Sequence, residues 1–359
     1  MITLLAFLAA LFFALNIGAS GAAASMGIAY GSGALKNRRM ALVICGIGVL
    51  LGAALGGGEV AKTLGSGIIP QELISIHISL IILCSAAISL FIANISGIPL
   101  STSEVTVGAI VGVGVAYKQV FISTLLTIMM YWILIPIVAF FFAWLLNKGV
   151  KQAEARLLFL KKPKWIKILS VLVICTGFLE AFSAGMNNVA NSIGPLAASG
   201  LISIQNGIVI GGLFTAAGAL LLGAKVIETN GKKLTDLSLL QGSAVSGLGG
   251  TLVIIASLFG IPVPQTQVTT CSILGIGFSE EGAKIFQKGI ISRLLKVWLV
   301  SPLFSLVISY NLVKLFLDFD LYAVIVGASV FAATIGSISL IKPIGLAKPA
   351  FLKEGNKVK

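Results

Sequence analysis

The sequence predicts an all-α polytopic membrane protein: two inverted five-span repeats with broken helices plus one extra C-terminal span, about 11 spans in all. Three observations predict it. The composition is too apolar for a soluble domain, the chain carries an internal duplication, and its basic clusters fall at opposite ends of the two halves.

Of 359 residues 57% are hydrophobic and only 10% charged, with a mean hydropathy of +1.07. A soluble domain carries about 25% charged residues. Runs at 1–17, 40–55, 73–95 and 120–146 reach or approach the roughly 20 residues that cross a hydrocarbon core, so the lipid bilayer is the first expected partner. The first run lacks a basic leader and an Ala-x-Ala site, and is expected to be retained as a span. The net charge of +13 resides in basic residues between apolar runs, which membrane orientation requires, and nucleic-acid binding is not expected. Cys45, Cys84, Cys175 and Cys271 lie inside apolar runs without CxxC spacing and read as small packing residues, with no metal.

The duplication rests on three colinear matches. Gly97-Ile-Pro-Leu-Ser-Thr-Ser-Glu-Val-Thr-Val-Gly108 is matched by Gly260-Ile-Pro-Val-Pro-Gln-Thr-Gln-Val-Thr-Thr-Cys271. Gly57-x-x-Val60-x-x-Thr63-x-Gly65 is matched by Gly223-x-x-Val226-x-x-Thr229-x-Gly231. Gly18-Ala-Ser-Gly-Ala-Ala-Ala-Ser-Met-Gly27 aligns with Gly185-Met-Asn-Asn-Val-Ala-Asn-Ser-Ile-Gly194. The offsets are about 163, 166 and 167 residues, in one order.

Each half holds five segments, at 2–30, 39–59, 73–95, 97–117 and 119–147, then 166–198, 204–225, 238–258, 260–279 and 287–313; a last span covers 321–341. An odd number per half inverts the second half relative to the first. The charges agree, since Lys36-Asn-Arg-Arg39 has the uncharged counterpart Ser203-Ile-Gln-Asn206, while the nearly solitary Lys62 corresponds to Lys225, Lys232 and Lys233. The chain divides into a first repeat (1–147), a basic cytoplasmic linker (148–165), a second repeat (166–313) and a C-terminal span with tail (314–359). Placing the linker lysines and the tail lysines (Lys342, Lys348, Lys353, Lys357, Lys359) in the cytoplasm puts the N-terminus outside and the C-terminus inside. The location implied is the bacterial inner membrane. Segments 97–117 and 260–279 are short and broken by Pro and Gly. They read as crossings or as re-entrant hairpins, the latter upsetting the charge pattern unless another segment also changes.

An uncompensated polar group in hydrocarbon costs several kcal/mol, so polar clusters within spans call for an explanation. Ser101-Thr102-Ser103-Glu104 follows Pro99, which ends one helix as the hydroxyls begin the next. Ser101-x-x-Glu104 is a capping-box pattern. In the other half Pro264 opens the helix and Gln267 takes the place of Glu104. Two half-helix N-termini, one per repeat, offer free N–H groups and positive dipole ends to an anion. Ser101, Thr102, Ser103, Gln265 and Thr266 add donors; alternatively they are ordinary caps. Asn187, Asn188 and Asn191 are ligands for an ion or oxyanion, or a polar clamp between helices. The first-repeat counterpart, Ser20 to Ser25, has fewer donors, Ser20 and Ser25 being the candidates.

These paired Gly-Ala-Asn-Asp-Val-Ala-Asn-like and Gly-x-Pro-x-Ser-Thr-like motifs resemble those of the inorganic phosphate transporter (PiT) family over nearly the whole chain. Within it, Gly18 to Ser25, Gly97 to Thr106 and Ala184 to Asn191 look most like the bacterial sulphate permease branch. The resemblance implies uptake by cation symport. The family's Asn-Asp pair is replaced by Ser20-Gly21 and Asn187-Asn188, its further Asn in the first copy is Ala24, and its His after the Ser-Thr run is Glu104 or Gln267 here.

Phosphate near neutral pH retains protons that a carboxylate can accept, whereas sulphate has none and meets a carboxylate lone pair to lone pair. Loss of both aspartates therefore favours a fully deprotonated dianion. Sulphate is the expected substrate, with thiosulphate, selenate, chromate and molybdate also compatible. No resident cofactor is expected. The coupling ion is expected to be a proton carried by Glu180 or Glu104, an intramembrane carboxylate being functional by default; sodium held by neutral oxygens remains compatible. Glu59 is a third candidate carrier or an interfacial residue, and His77 reads as interfacial. One His, scattered Cys and no HExxH argue against an enzyme, and the absence of a Walker A motif against direct ATP coupling. A passive anion channel and phosphate uptake are the competing readings, and a homodimer is compatible with all of them.

Overall fold

Backbone N–H and C=O groups in a bilayer have no water to bond, so each apolar run folds into a helix that satisfies its own. The computed structural model describes residues 1–96, 100–233, 237–283, 285 and 290–340. Each predicted segment contains a helix, and no strand occurs among the described residues. The first half comprises α1 (Ile2–Ile17), a π-helical turn (Gly18–Ala22), α2 (Gly27–Gly31), α3 (Arg38–Gly56), α4 (Gly58–Lys62), α5 (Ile76–Ser96), α6 (Thr102–Ala116) and α7 (Ile122–Arg156). The second comprises α8 (Pro163–Ala198), α9 (Ile204–Leu222), α10 (Ala224–Lys233), α11 (Leu239–Leu258), α12 (Gln265–Glu281) and α13 (Ile290–Phe316), followed by α14 (Leu321–Leu340). Among the described residues seven helices are long and apolar enough to cross a membrane. Large apolar side chains such as Leu126, Ile133, Phe141 and Leu145 stand exposed along α7, as a lipid-facing surface requires.

Local chemistry sets the helix starts. Asn37 caps α3, its side chain accepting from the amides of Arg39 (2.9 Å) and Met40 (3.3 Å). Ser238 and Gln241 close a full capping box on α11. At α6 only half of the predicted box forms. Ser101 Oγ accepts from the Glu104 amide at 3.5 Å, but the Glu104 carboxylate takes a hydrogen bond from Gln267 Nε2 on α12 instead of returning to the cap. A charged-type side chain buried at 1% exposure has more to gain from a donor on the facing helix than from an amide its own cap can serve. The predicted linker is also more regular than a linker suggests: α7 continues to Arg156 and α8 begins at Pro163, since 151–156 is a run of good helix formers. Gly97, Ile98, Pro99 and the tail lysines lie outside the described residues.

The packing recurs between the halves. α3 lies along α8, and α9 along α1 with its π turn; α6 packs on α13 and α12 on α7; α5 lies on α1 and α11 on α8. Glycines set the close approaches, two of them at equivalent places in the halves. A Cβ at Gly18 would collide with the Thr215 carbonyl oxygen, and one at Gly185 with that of Val49. α11 and α12 run antiparallel, their outer ends joined by the hydrogen bond from Gln241 Nε2 to Glu280 Oε1 (2.6 Å). That end is tied to α7 by Asn147 Nδ2 donating to the Ile276 carbonyl (3.3 Å) and Lys151 Nζ to that of Ser279 (3.4 Å).

Candidate functional site

The N-termini of α6 and α12 meet in the interior. Glu104 and Gln267, each in the first turn of its half-helix, bond to one another. α8 passes beside them and Asn188 bridges the two: its Oδ1 accepts from Thr102 Oγ1 (3.1 Å) and its Nδ2 donates to Gln265 Oε1 (3.1 Å). The Gln265 amide is held in turn by donating to the Glu180 carbonyl (3.0 Å). First-turn N–H groups have no carbonyl four residues earlier, and the dipoles of both half-helices direct positive ends to the same place.

A cavity of about 270 Å³ opens there, lined by Gly21 and Ser25 from the first broken crossing, the cap Ser101 and Thr102 of α6, Glu180 and Asn188 of α8, and Gln265, Thr266, Thr269 and Thr270 of α12. A water's share of liquid volume is about 30 Å³, so a tetrahedral oxyanion fits with part of its hydration shell. The lining includes no Lys, Arg or His, and Glu180 is its one ionisable residue. Glu180 is 3% exposed, and its Oε1 accepts from Thr269 Oγ1 at 2.7 Å. The π turn at Gly18–Ala22 widens the helix beside the cavity, a distortion common at functional sites.

The predicted residues divide into two groups. Ser25, Ser101, Thr102, Glu180, Asn188, Gln265 and Thr266 line the cavity, whereas Ser20, Ser103, Glu104, Asn187 and Asn191 do not. Ser20 Oγ donates to the Asn16 carbonyl (2.8 Å). Asn187 is a clamp whose amide is fully used. Its Oδ1 accepts from Ser103 Oγ (3.1 Å) and the Val263 amide (3.2 Å), while its Nδ2 donates to Ser257 Oγ (2.9 Å) and the Ile261 carbonyl (3.1 Å). It thereby pins the connection between α11 and α12 to α8. Asn191 is fully buried. Glu104 keeps one carboxylate oxygen without a hydrogen-bond partner. Thr269 and Thr270 were missed by the motif comparison although they stand four residues after Gln265 and Thr266, a spacing that puts them on the same helix face. Glu59 is ion-paired with Lys62 at 2.6 Å on an exposed surface, and His77 is exposed at the start of α5. No cluster of His, Cys, Asp or Glu suited to a metal occurs among the described residues.

Broken helices meeting at a donor-lined internal cavity, within a bundle faced by lipid-exposed side chains, define a multi-pass membrane protein of transporter type. The chain belongs to the phosphate transporter family, whose model matches residues 17–309. It is 52% identical over 355 residues, 99% of both chains, to the sulfate permease CysP of Bacillus subtilis. It is 29% identical to a putative phosphate permease of Pyrococcus furiosus, over 79% of this chain and 89% of that one. The resemblance to the family and to its sulphate permease branch is borne out by these matches. A solved sodium-dependent phosphate transporter superposes with a TM-score of 0.77 over 88% of this chain and 100% of its own, at 24% identity, and shares the fold.

Proposed function

We propose that this chain is a secondary active transporter that imports sulphate by proton symport with alternating access. The cavity at the meeting half-helices carries the reading: it offers hydroxyls, amides and helix N–H groups, with Gly21 and Asn188 where the family pattern has aspartate. Such a donor set suits an anion with no proton to give. The 52% identity to a sulfate permease supports it.

Glu180 fits the coupling role better than Glu104, because Glu180 lines the cavity and Glu104 faces Gln267. An ionised carboxylate beside a dianion is repulsive, and a protonated one is a donor. Binding of sulphate and of a proton to the same cavity therefore favour each other, and loss of the proton favours release.

The inverted repeat is supported by the packing partners that recur in equivalent pairs, and by Gly18 against Thr215 answering Gly185 against Val49. The span count of about eleven is supported by a helix in every predicted segment. α6, with 15 residues, rises only about 22 Å against a core of roughly 30 Å. Because α11 and α12 return to one end, the pair leaves the topology unchanged whether it crosses or re-enters, and the predicted charge pattern survives both.

Uptake of labelled sulphate into proteoliposomes, sodium absent, tests the proposal. An inward proton gradient is expected to drive accumulation that phosphate does not inhibit. Phosphate uptake is the second reading, favoured by relatives such as the Pyrococcus protein; accumulation that requires sodium or is abolished by phosphate would establish it instead. Uptake that merely equilibrates would indicate a channel.

A further inference from the structure

The cavity lies on one side of the paired N-termini. From Gln265 its lining climbs α12 to Ile273, and on α8 it reaches back to Glu180. Both directions lead toward the end where α12 is tied to α7, the end of the basic linker (148–165) that forms the hinge between the two halves. On the other side, past Asn188 along α8 and past Thr102 along α6, the structure is closed: Asn191, Ser192, Thr106 and Ile110 are all buried. Within that closed side stands an anomaly. Asn191 has 0% exposure, and neither its Oδ1 nor its Nδ2 has a hydrogen-bond partner. A buried amide left unpaired costs several kcal/mol, which a second conformation that gives it a ligand would offset.

The duplication identifies that conformation. By the motif offsets Asn191 is the counterpart of Ala24, Ser192 of Ser25, Thr106 of Thr269 and Ile110 of Ile273. All four first-named residues are in the closed region, and all four counterparts line the cavity. The closed region is thus the repeat-swapped image of the open one. In transporters of this build, alternating access exchanges the packing of the two repeats around a central site.

We propose that a second anion-binding cavity opens on the side away from the hinge in the alternate conformation, with the Asn191 amide as its principal donor to a tetrahedral oxyanion. The inference rests on the inverted-repeat transporter reading. It adds a direction. The counterpart of Glu180 in the swapped cavity is Phe13, itself fully buried here. The far-side cavity therefore presents an amide and hydroxyls without a carboxylate, while the hinge-side cavity presents one. An entering oxyanion meets the Asn191 amide on the far side and Glu180 on the hinge side, where ionisation of the carboxylate favours its release.

The test places single cysteines by Asn191→Cys and Ala24→Cys in a chain lacking Cys45, Cys84, Cys175 and Cys271. These are probed with a membrane-impermeant methanethiosulfonate in vesicles of both orientations. The position-191 cysteine is expected to react only from the face opposite the hinge and the position-24 cysteine only from the hinge face, with sulphate slowing both. Reaction at 191 from the hinge face, or from neither face, overturns the proposal. In the chain with its native cysteines, Asn191→Ala is expected to raise the half-saturating sulphate concentration at least fivefold for entry from the far side, leaving that from the hinge side unchanged. An equal change on both sides, or none, also overturns it. Failure of the unaltered protein to move sulphate would refute the transport reading, whereas labelling reports on the second cavity without requiring transport.

Discussion

Glu180 touches Thr269 and shares a cavity with the hydroxyls and amides at the half-helix junction. If it carries the proton, Glu180→Gln removes the charge but keeps the shape. Proton-driven accumulation of sulphate is then expected to fall to the level of equilibration, while sulphate–sulphate exchange, which moves no net proton, persists. Accumulation with undiminished pH dependence would assign coupling elsewhere, Glu104 first. Asn188 tests selectivity from the other direction. It bridges both half-helices with a neutral amide, and Asn188→Asp puts a carboxylate beside the anion. Like charges about 4 Å apart repel by about 4 kcal/mol at an effective dielectric constant of about 20. Competition assays are expected to show sulphate affinity reduced at least tenfold, with phosphate, which brings its own protons, less affected. At this scale the sequence was only partly legible. The run Asn187-Asn188 marks the place but not the roles, because adjacent helical residues point about 100° apart. The rotation of α8 against α12, which makes Asn187 a clamp and Asn188 a cavity wall, is set by packing that no local pattern encodes. Glu104 was misread as a local cap because its actual partner, Gln267, lies 163 residues away.

The elements owe their approach to small residues rather than to large apolar ones, as expected where lipid tails are as apolar as the side chains. Gly185 brings α8 onto the backbone of α3 at Val49, and Gly18 brings the π turn onto α9 at Thr215. Overpacking of a close-packed interior costs about 1–3 kcal/mol, occasionally more. Here the obstructing atom is a backbone oxygen that cannot turn away. Gly185→Val and Gly18→Val are expected to lower the thermal transition of detergent-purified protein and its yield, with the two effects similar in size. Gly149 is the contrasting case, two turns before the end of α7 and with nothing within 4 Å of an added Cβ. Replacing it by Ala is expected to stabilise the helix by about 0.5–1 kcal/mol. A destabilised Gly149→Ala protein would mean that α7 does not run as one helix past position 147. Element positions were legible because apolar runs and Pro or Gly breaks are local features. The distortion at Gly18–Ala22 was not, since the same register in α8 stays helical with Asn in place of Gly and Ser.

Over the whole molecule, the proposed orientation follows from charge. Lys148, Lys151, Arg156, Lys161, Lys162, Lys164 and Lys167 concentrate at the end of α7, the start of α8 and the connection between them. A second concentration, Lys36 to Arg39, is joined to α10 by the ion pair between Arg38 and Glu228, so the loop after the first crossing and the start of α10 share an end as the predicted topology demands. A basic residue near the anionic cytoplasmic leaflet is worth about 1 kcal/mol, and seven around this one junction outweigh the few opposing charges at the other end, where Glu59 and Lys62 neutralise one another. A cysteine introduced by Lys162→Cys in a cysteine-free chain is accordingly expected to react with an impermeant thiol reagent in inside-out vesicles and not in intact cells. The consequence reaches the mechanism, because the hinge end is also the end toward which the Glu180 cavity extends. If the hinge is cytoplasmic and Glu180 carries the proton, the carboxylate would meet departing sulphate at the higher internal pH and ionise as the anion leaves, which would make import the favoured direction. Labelling of that cysteine from outside would reverse the orientation. Glu180 would then guard the entrance, and an inward proton gradient would have to act through protonation before binding rather than deprotonation at release.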